Sequence, residues 1–119
     1  MPAILLCLLA SMPPAAGHTA LVSSEPANGA ELASPPSEIV LRFETRVRPP
    51  FSKVEVTGPS GTSVRSEAPP AASDEERVLR APLRADLPPG RYEVRWSVVS
   101  ADGHRKEGTL SFLVKAPAV

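Results

Sequence analysis

A chain of 119 residues holds one domain at most. Its 13 Lys+Arg balance its 13 Asp+Glu, so it lacks the basic surplus that nucleic acid or an anionic membrane surface would attract. The one Cys and two Met (Cys7, Met1 and Met12) all fall in the first 12 positions; if that stretch is cut away, a disulfide scaffold, a thiolate zinc site, a Cys nucleophile and a soft Cys/Met metal site are excluded.

The chain opens on a candidate export signal. Ala3 to Met12 (AILLCLLASM) is an apolar run of signal-peptide length, too short to span a bilayer. Pro13-Pro14 ends any helix there, and Ala15-Ala16-Gly17 supplies small residues before a cut after Gly17. No Lys or Arg precedes the run, so its n-region is weak. The competing reading of the run is a buried core strand or helix. Lipidation of Cys7 is disfavoured because Ile4-Leu5-Leu6 lacks the small residue expected beside a lipidated Cys. Residues 1–17 are therefore expected to be a signal peptide, and their removal from 119 leaves a domain of 102 residues, 18–119, that begins on His18. No later apolar run approaches membrane-spanning length, so the mature chain is expected to be soluble and exported.

The body reads as short strands. Ile39, Leu41 and Phe43 alternate with polar or solvent-side neighbours, as do Val54 and Val56. Tyr92, Val94, Trp96 and Val98 form the cleanest such run, and Leu110, Phe112 and Val114 another. Weaker strands are expected at Ala20–Ser23, Thr62–Ser66 and Glu76–Leu83, the last an edge or bulged strand because of Pro82. Pro- and Gly-rich turns separate these runs. Ala68 to Glu75 reads as a mobile surface loop. No segment keeps a helical period with caps. About seven short strands at this spacing predict an all-β fold, a two-sheet sandwich.

Only two histidines are present, His18 and His104. Asp102-Gly103-His104 separates two strong strands, and a hairpin turn alone accounts for the Asp and the Gly. It does not account for the His that follows. His18 can be an accident of where the leader ends. It can also be functional: an N-terminal His offers its α-amine and its Nδ1 to one metal, closing a six-membered ring. With an imidazole from His104 and a carboxylate from Asp102, the donors are three nitrogens and one oxygen, a set suited to tetragonal Cu(II). Zinc, the competing ion, prefers a tetrahedral site. No phosphate-binding Gly loop, zinc-peptidase motif or nucleophile elbow is present.

Two segments carry a family resemblance. His18-Thr-Ala-Leu-Val-Ser-Ser-Glu-Pro-Ala-Asn-Gly29 resembles the opening of the CopC family of periplasmic copper-resistance proteins. Pro89 to His104 (PGRYEVRWSVVSADGH) resembles its second signature, and Gly108 to Phe112 its final strand. The resemblance spans essentially the whole mature chain. It implies a Greek-key β-sandwich, immunoglobulin-like or cupredoxin-like, that binds copper, Cu(II), through the amine and imidazole of His18, with Asp102 and His104. It also implies a role in copper homeostasis beside an inner-membrane copper transport protein, with no enzymatic activity. Two departures stand out. The Met-rich Cu(I) loop of well-studied members has no counterpart in a mature chain without Met. The Leu41-Arg-Phe43-Glu44-Thr45 segment reorders the usual Phe-Ser-Glu pattern, so Glu44 is not carried over as a supporting carboxylate. Competing functions are a structural or interaction sandwich without metal, and a copper oxidase; an anionic Asp102 ligand would favour Cu(II) and oppose redox cycling.

Overall fold

The computed structural model describes residues 21–66, 70–73 and 75–117. Among the described residues, eight strands occur in chain order: β1 (Leu21–Glu25), β2 (Ala30–Leu32), β3 (Glu38–Phe43), β4 (Lys53–Thr57), β5 (Ala71–Ser73), β6 (Val78–Pro82), β7 (Gly90–Val99) and β8 (Arg105–Val114). They form two four-stranded sheets, ordered β1-β3-β6-β5 and β2-β8-β7-β4. Only β5–β6 and β7–β8 are hairpins within one sheet. The other connections pass between sheets, as a Greek-key sandwich requires.

The period-two pattern sets which face is buried. Along β7, Tyr92, Val94, Trp96 and Val98 are buried, while Arg91, Glu93 and Arg95 face solvent. Ile39, Leu41 and Phe43 of β3 meet them from the other sheet, together with Leu79 and Ala81 of β6. Phe43 and Trp96 make an edge-to-face contact with centroids 5.4 Å apart, so the two sheets touch through aromatic rings as well as aliphatic chains. Burying one stripe from each sheet in this way is what drives two half-apolar sheets together.

The structure departs from the sequence reading in four places. Thr62–Ser66 is not a continuous strand; it makes isolated bridges, Thr57 with Ser63 and Arg65 with Leu83. β6 is an interior strand, flanked by β3 and β5. Pro82 is tolerated there because the Leu83 N–H donates to Ser37 O, and ladder alternation then turns the nitrogen of residue 82 away from β3, past the last paired residue of β5. The expected loop at Ala68–Glu75 contains β5, a three-residue edge strand paired to Val78–Arg80. β2 had no signal, since three residues show no periodicity. It runs parallel to β8, an arrangement that depends wholly on tertiary contacts.

Candidate metal centre

Asp102 and His104 lie in the turn between β7 and β8. The hairpin ladder runs to the Val99–Arg105 pair. Beyond it, the Ser100 N–H donates to His104 O at 2.8 Å and the Gly103 N–H to Ser100 O at 2.8 Å. Gly103 has φ +91°, a conformation that favours Gly and that a three-residue hairpin loop needs at this position. The Asp-Gly turn read from the sequence is thus present, and it holds Asp102 and His104 on the same side.

The turn is tied to the rest of the sandwich. The Ala101 N–H donates to Arg46 O at 2.9 Å, and Ser100 bridges Val47. Arg48 Nη2 donates to Ala101 O at 2.9 Å, and the Arg48 N–H donates to Val99 O at 2.7 Å. The connection between β3 and β4 therefore braces the hairpin tip, although nothing in the spacing of Arg48 and Ala101 along the chain announces it.

Asp102 and His104 meet directly, with His104 Nδ1 3.0 Å from Asp102 Oδ2. The other carboxylate oxygen, Oδ1, accepts from the Ser100 hydroxyl and from the His104 backbone N–H, the latter at 3.2 Å. The Ser100 bond, followed by those from His104, holds the Asp102 carboxyl well below the usual carboxylate range. Both side chains are open to solvent, 67% exposed for Asp102 and 75% for His104. A contact that exposed adds little to stability.

Asp102 and His104 offer two potential donor atoms. Among the described residues, no group of three or more His, Cys, Asp and Glu side chains converges. The third expected ligand, His18, lies outside the described residues, as does the whole expected leader. The topology bears on it through β1. Leu21 pairs with Phe43 in an antiparallel ladder, so the start of β1 lies at the end of the sandwich where the chain following Phe43 begins. That following segment includes Arg46 and Val47, which touch Ala101 and Ser100. The start of β1 and the Asp102–His104 turn thus share one end of the fold. Glu44 is exposed at the same end.

The CopC domain family model matches residues 21–115. The chain belongs to the CopC family. Its match to copper resistance protein C of Escherichia coli is 36% identical over 108 residues, covering 85% of this chain and 84% of that one. Protein YobA of Escherichia coli K12 is 35% identical over 98 residues, 82% of this chain and 79% of its own. The copper transport protein CutJ of Bacillus subtilis is 30% identical over 93% of this chain, which corresponds to 21% of CutJ. Among solved structures, CopC from Methylosinus trichosporium OB3b superposes with a TM-score of 0.70 at 30% identity, covering 80% of this chain and 91% of its own. PcoC, a methionine-rich copper resistance protein from Escherichia coli, gives 0.68 at 30% identity, covering 80% and 96%. This CopC chain has Met only at positions 1 and 12, in contrast to the methionine-rich PcoC.

Proposed function

We propose that this CopC protein is exported, loses residues 1–17, and binds one Cu(II) through the α-amine and imidazole of His18, Asp102 and His104. The paired Asp102 and His104 carry the reading. Two donors about 2.0 Å from one metal and at right angles lie about 2.8 Å apart; Asp102 Oδ2 and His104 Nδ1 are 3.0 Å apart. An oxygen and a nitrogen at this spacing fit adjacent corners of a tetragonal ion, and the set completed by His18 favours Cu(II) over tetrahedral zinc. The location of the turn at the end where β1 begins supports His18 as the remaining source: it precedes Leu21 by three positions, a reach of about 10 Å in extended chain.

The protein acts by binding rather than by catalysis, in copper sequestration, delivery or resistance in the periplasm. Its hard donor set holds Cu(II), and with no Cys or Met after position 12 nothing soft retains Cu(I), so reduction releases the metal. An inner-membrane copper transport protein is the proposed partner; the correspondence of this chain to a fifth of the longer CutJ supports such a pairing. The test is an extra residue placed ahead of His18, which moves the terminal amine out of the chelate. The extended protein is expected to lose tight Cu(II) binding and to show fewer nitrogen couplings in its electron paramagnetic resonance spectrum. Equal affinity of the extended and mature forms would mean that the ligand set is wrong.

A further inference from the structure

Among the described residues, Ser100 is the buried polar side chain that meets Asp102: the residue is 5% exposed, while Asp102 and His104 lie open to solvent. Its backbone is fixed by the bridge to Val47 and by the 2.8 Å bond from its N–H to His104 O. Its hydroxyl reaches Asp102 Oδ1 and lies 3.1 Å from His104 O.

The consequence is an asymmetry between the two oxygens of Asp102. Oδ1 receives the Ser100 hydroxyl and the His104 N–H. Oδ2 receives neither and faces the imidazole. An Asp side chain on an exposed turn would otherwise rotate about two torsions and offer either oxygen, at an entropic cost on capture. Engaging Oδ1 from a rigid, buried donor sets the carboxylate plane and leaves Oδ2 turned to His104 Nδ1, a contact that an ion held between the two atoms would replace.

We propose that Ser100 is a positioning residue for the metal centre, selecting Asp102 Oδ2 as the ligand oxygen and holding it beside His104. This rests on the reading of Asp102 as a Cu(II) ligand. Ser100 donates to a ligand without itself touching the ion, and its loss is expected to weaken binding by roughly 10–100-fold, the range seen when such outer partners are removed.

The experiment is a double-mutant cycle on the protein beginning at His18, titrated with Cu(II) against a competing chelator, with S100A, S100T, D102N and S100A/D102N. Thermal unfolding of each metal-free variant is followed in parallel. Expected results are a roughly 10–100-fold weaker S100A with an altered copper spectrum, recovery in S100T, which keeps the hydroxyl, and no further loss when S100A is added to D102N. A loss from S100A that persists undiminished in the D102N background, or that only tracks a lower unfolding temperature, overturns the proposal in favour of a purely structural serine. Unchanged affinity in S100A, with D102N weakened, overturns it while leaving Asp102 as a ligand. Equal affinity of D102N and wild type removes Asp102 from the ligand set and the proposal with it.

Discussion

Trp96 lies across Gly108. The two residues pair directly between β7 and β8, and a Cβ on Gly108 would sit 2.4 Å from Trp96 Cζ2 and 2.9 Å from its Nε1. The indole cannot swing aside freely, because Phe43 of the opposite sheet meets it edge-on at 5.4 Å. Gly108→Ala is therefore expected to destabilise the sandwich by about 1–3 kcal/mol, the range for overpacking a filled core. Urea unfolding would show this as a lower midpoint; an unchanged midpoint would mean that the ring has room to move.

Tyr92 offers a pH readout remote from the metal. It is fully buried, stacks on Phe112 with centroids 5.1 Å apart, and donates its hydroxyl to Pro88 O. Burial pushes the phenol pKa up. A raised pKa means that the neutral form's contribution to stability is complete below the unfolded value, near 10, and is lost as pH rises toward the folded one. Tyr92 is the chain's only tyrosine, so tyrosinate absorbance reads it alone. Ionisation is expected above about pH 10 and in step with unfolding; a normal titration in the folded protein would contradict the burial. Tyr92→Phe should cost about 1 kcal/mol for the lost hydrogen bond.

Copper affinity should depend on pH through the nitrogen donors. Ser100, and then His104, lower the Asp102 pKa, so the Asp102 contribution to stability is present above the ordinary carboxylate value near 4 and is lost only below it. Asp102 therefore does not set the pH dependence. On the proposed ligand set, the His18 α-amine and imidazole must be deprotonated to bind, so affinity is expected to fall as pH drops below about 8. Chelator competition across pH measures this; an affinity independent of pH would exclude the His18 amine.

Asn28 closes the turn that leads into β2. Its Oδ1 accepts from the Ser111 N–H at 3.0 Å, and the neighbouring Gly29 N–H donates to Ser111 O at 2.7 Å. These two bonds dock the turn on β8 just before the parallel β2–β8 ladder begins at Ala30–Phe112. Asn28→Ala should cost about 1 kcal/mol and speed hydrogen exchange at the Ser111 amide. Asn28→Asp, which keeps an acceptor, should recover most of that protection.

The strongest strands could be read in advance because one of their faces is buried and the other wet. Tyr92 to Val98 and Leu110 to Val114 alternate for that reason, and the structure adds only the pairing. β2 and β5 are three residues each, too short to carry a period, and Thr62–Ser66 makes isolated bridges in place of a continuous ladder. Pro82 looked like an edge marker because the local rule assumes that every ladder N–H is needed. Strand register decides which ones are.

At the candidate site the division is similar. The residue types, Asp102 and His104 in a Gly-bearing turn with a second His near the expected mature N-terminus, follow from sequence alone, because metal chemistry restricts donors to few side chains. Sequence could not show that Ser100 turns its hydroxyl onto one oxygen of Asp102, or that Arg46, Val47 and Arg48 brace the turn across about fifty residues of chain. The Ser100 bond lies within the turn itself, whereas the contacts of Arg46, Val47 and Arg48 join segments brought together only when the two sheets pack. The sequence determined the candidate donors and the local turn that sets two of them 3.0 Å apart, and the tertiary structure decided how that turn is braced.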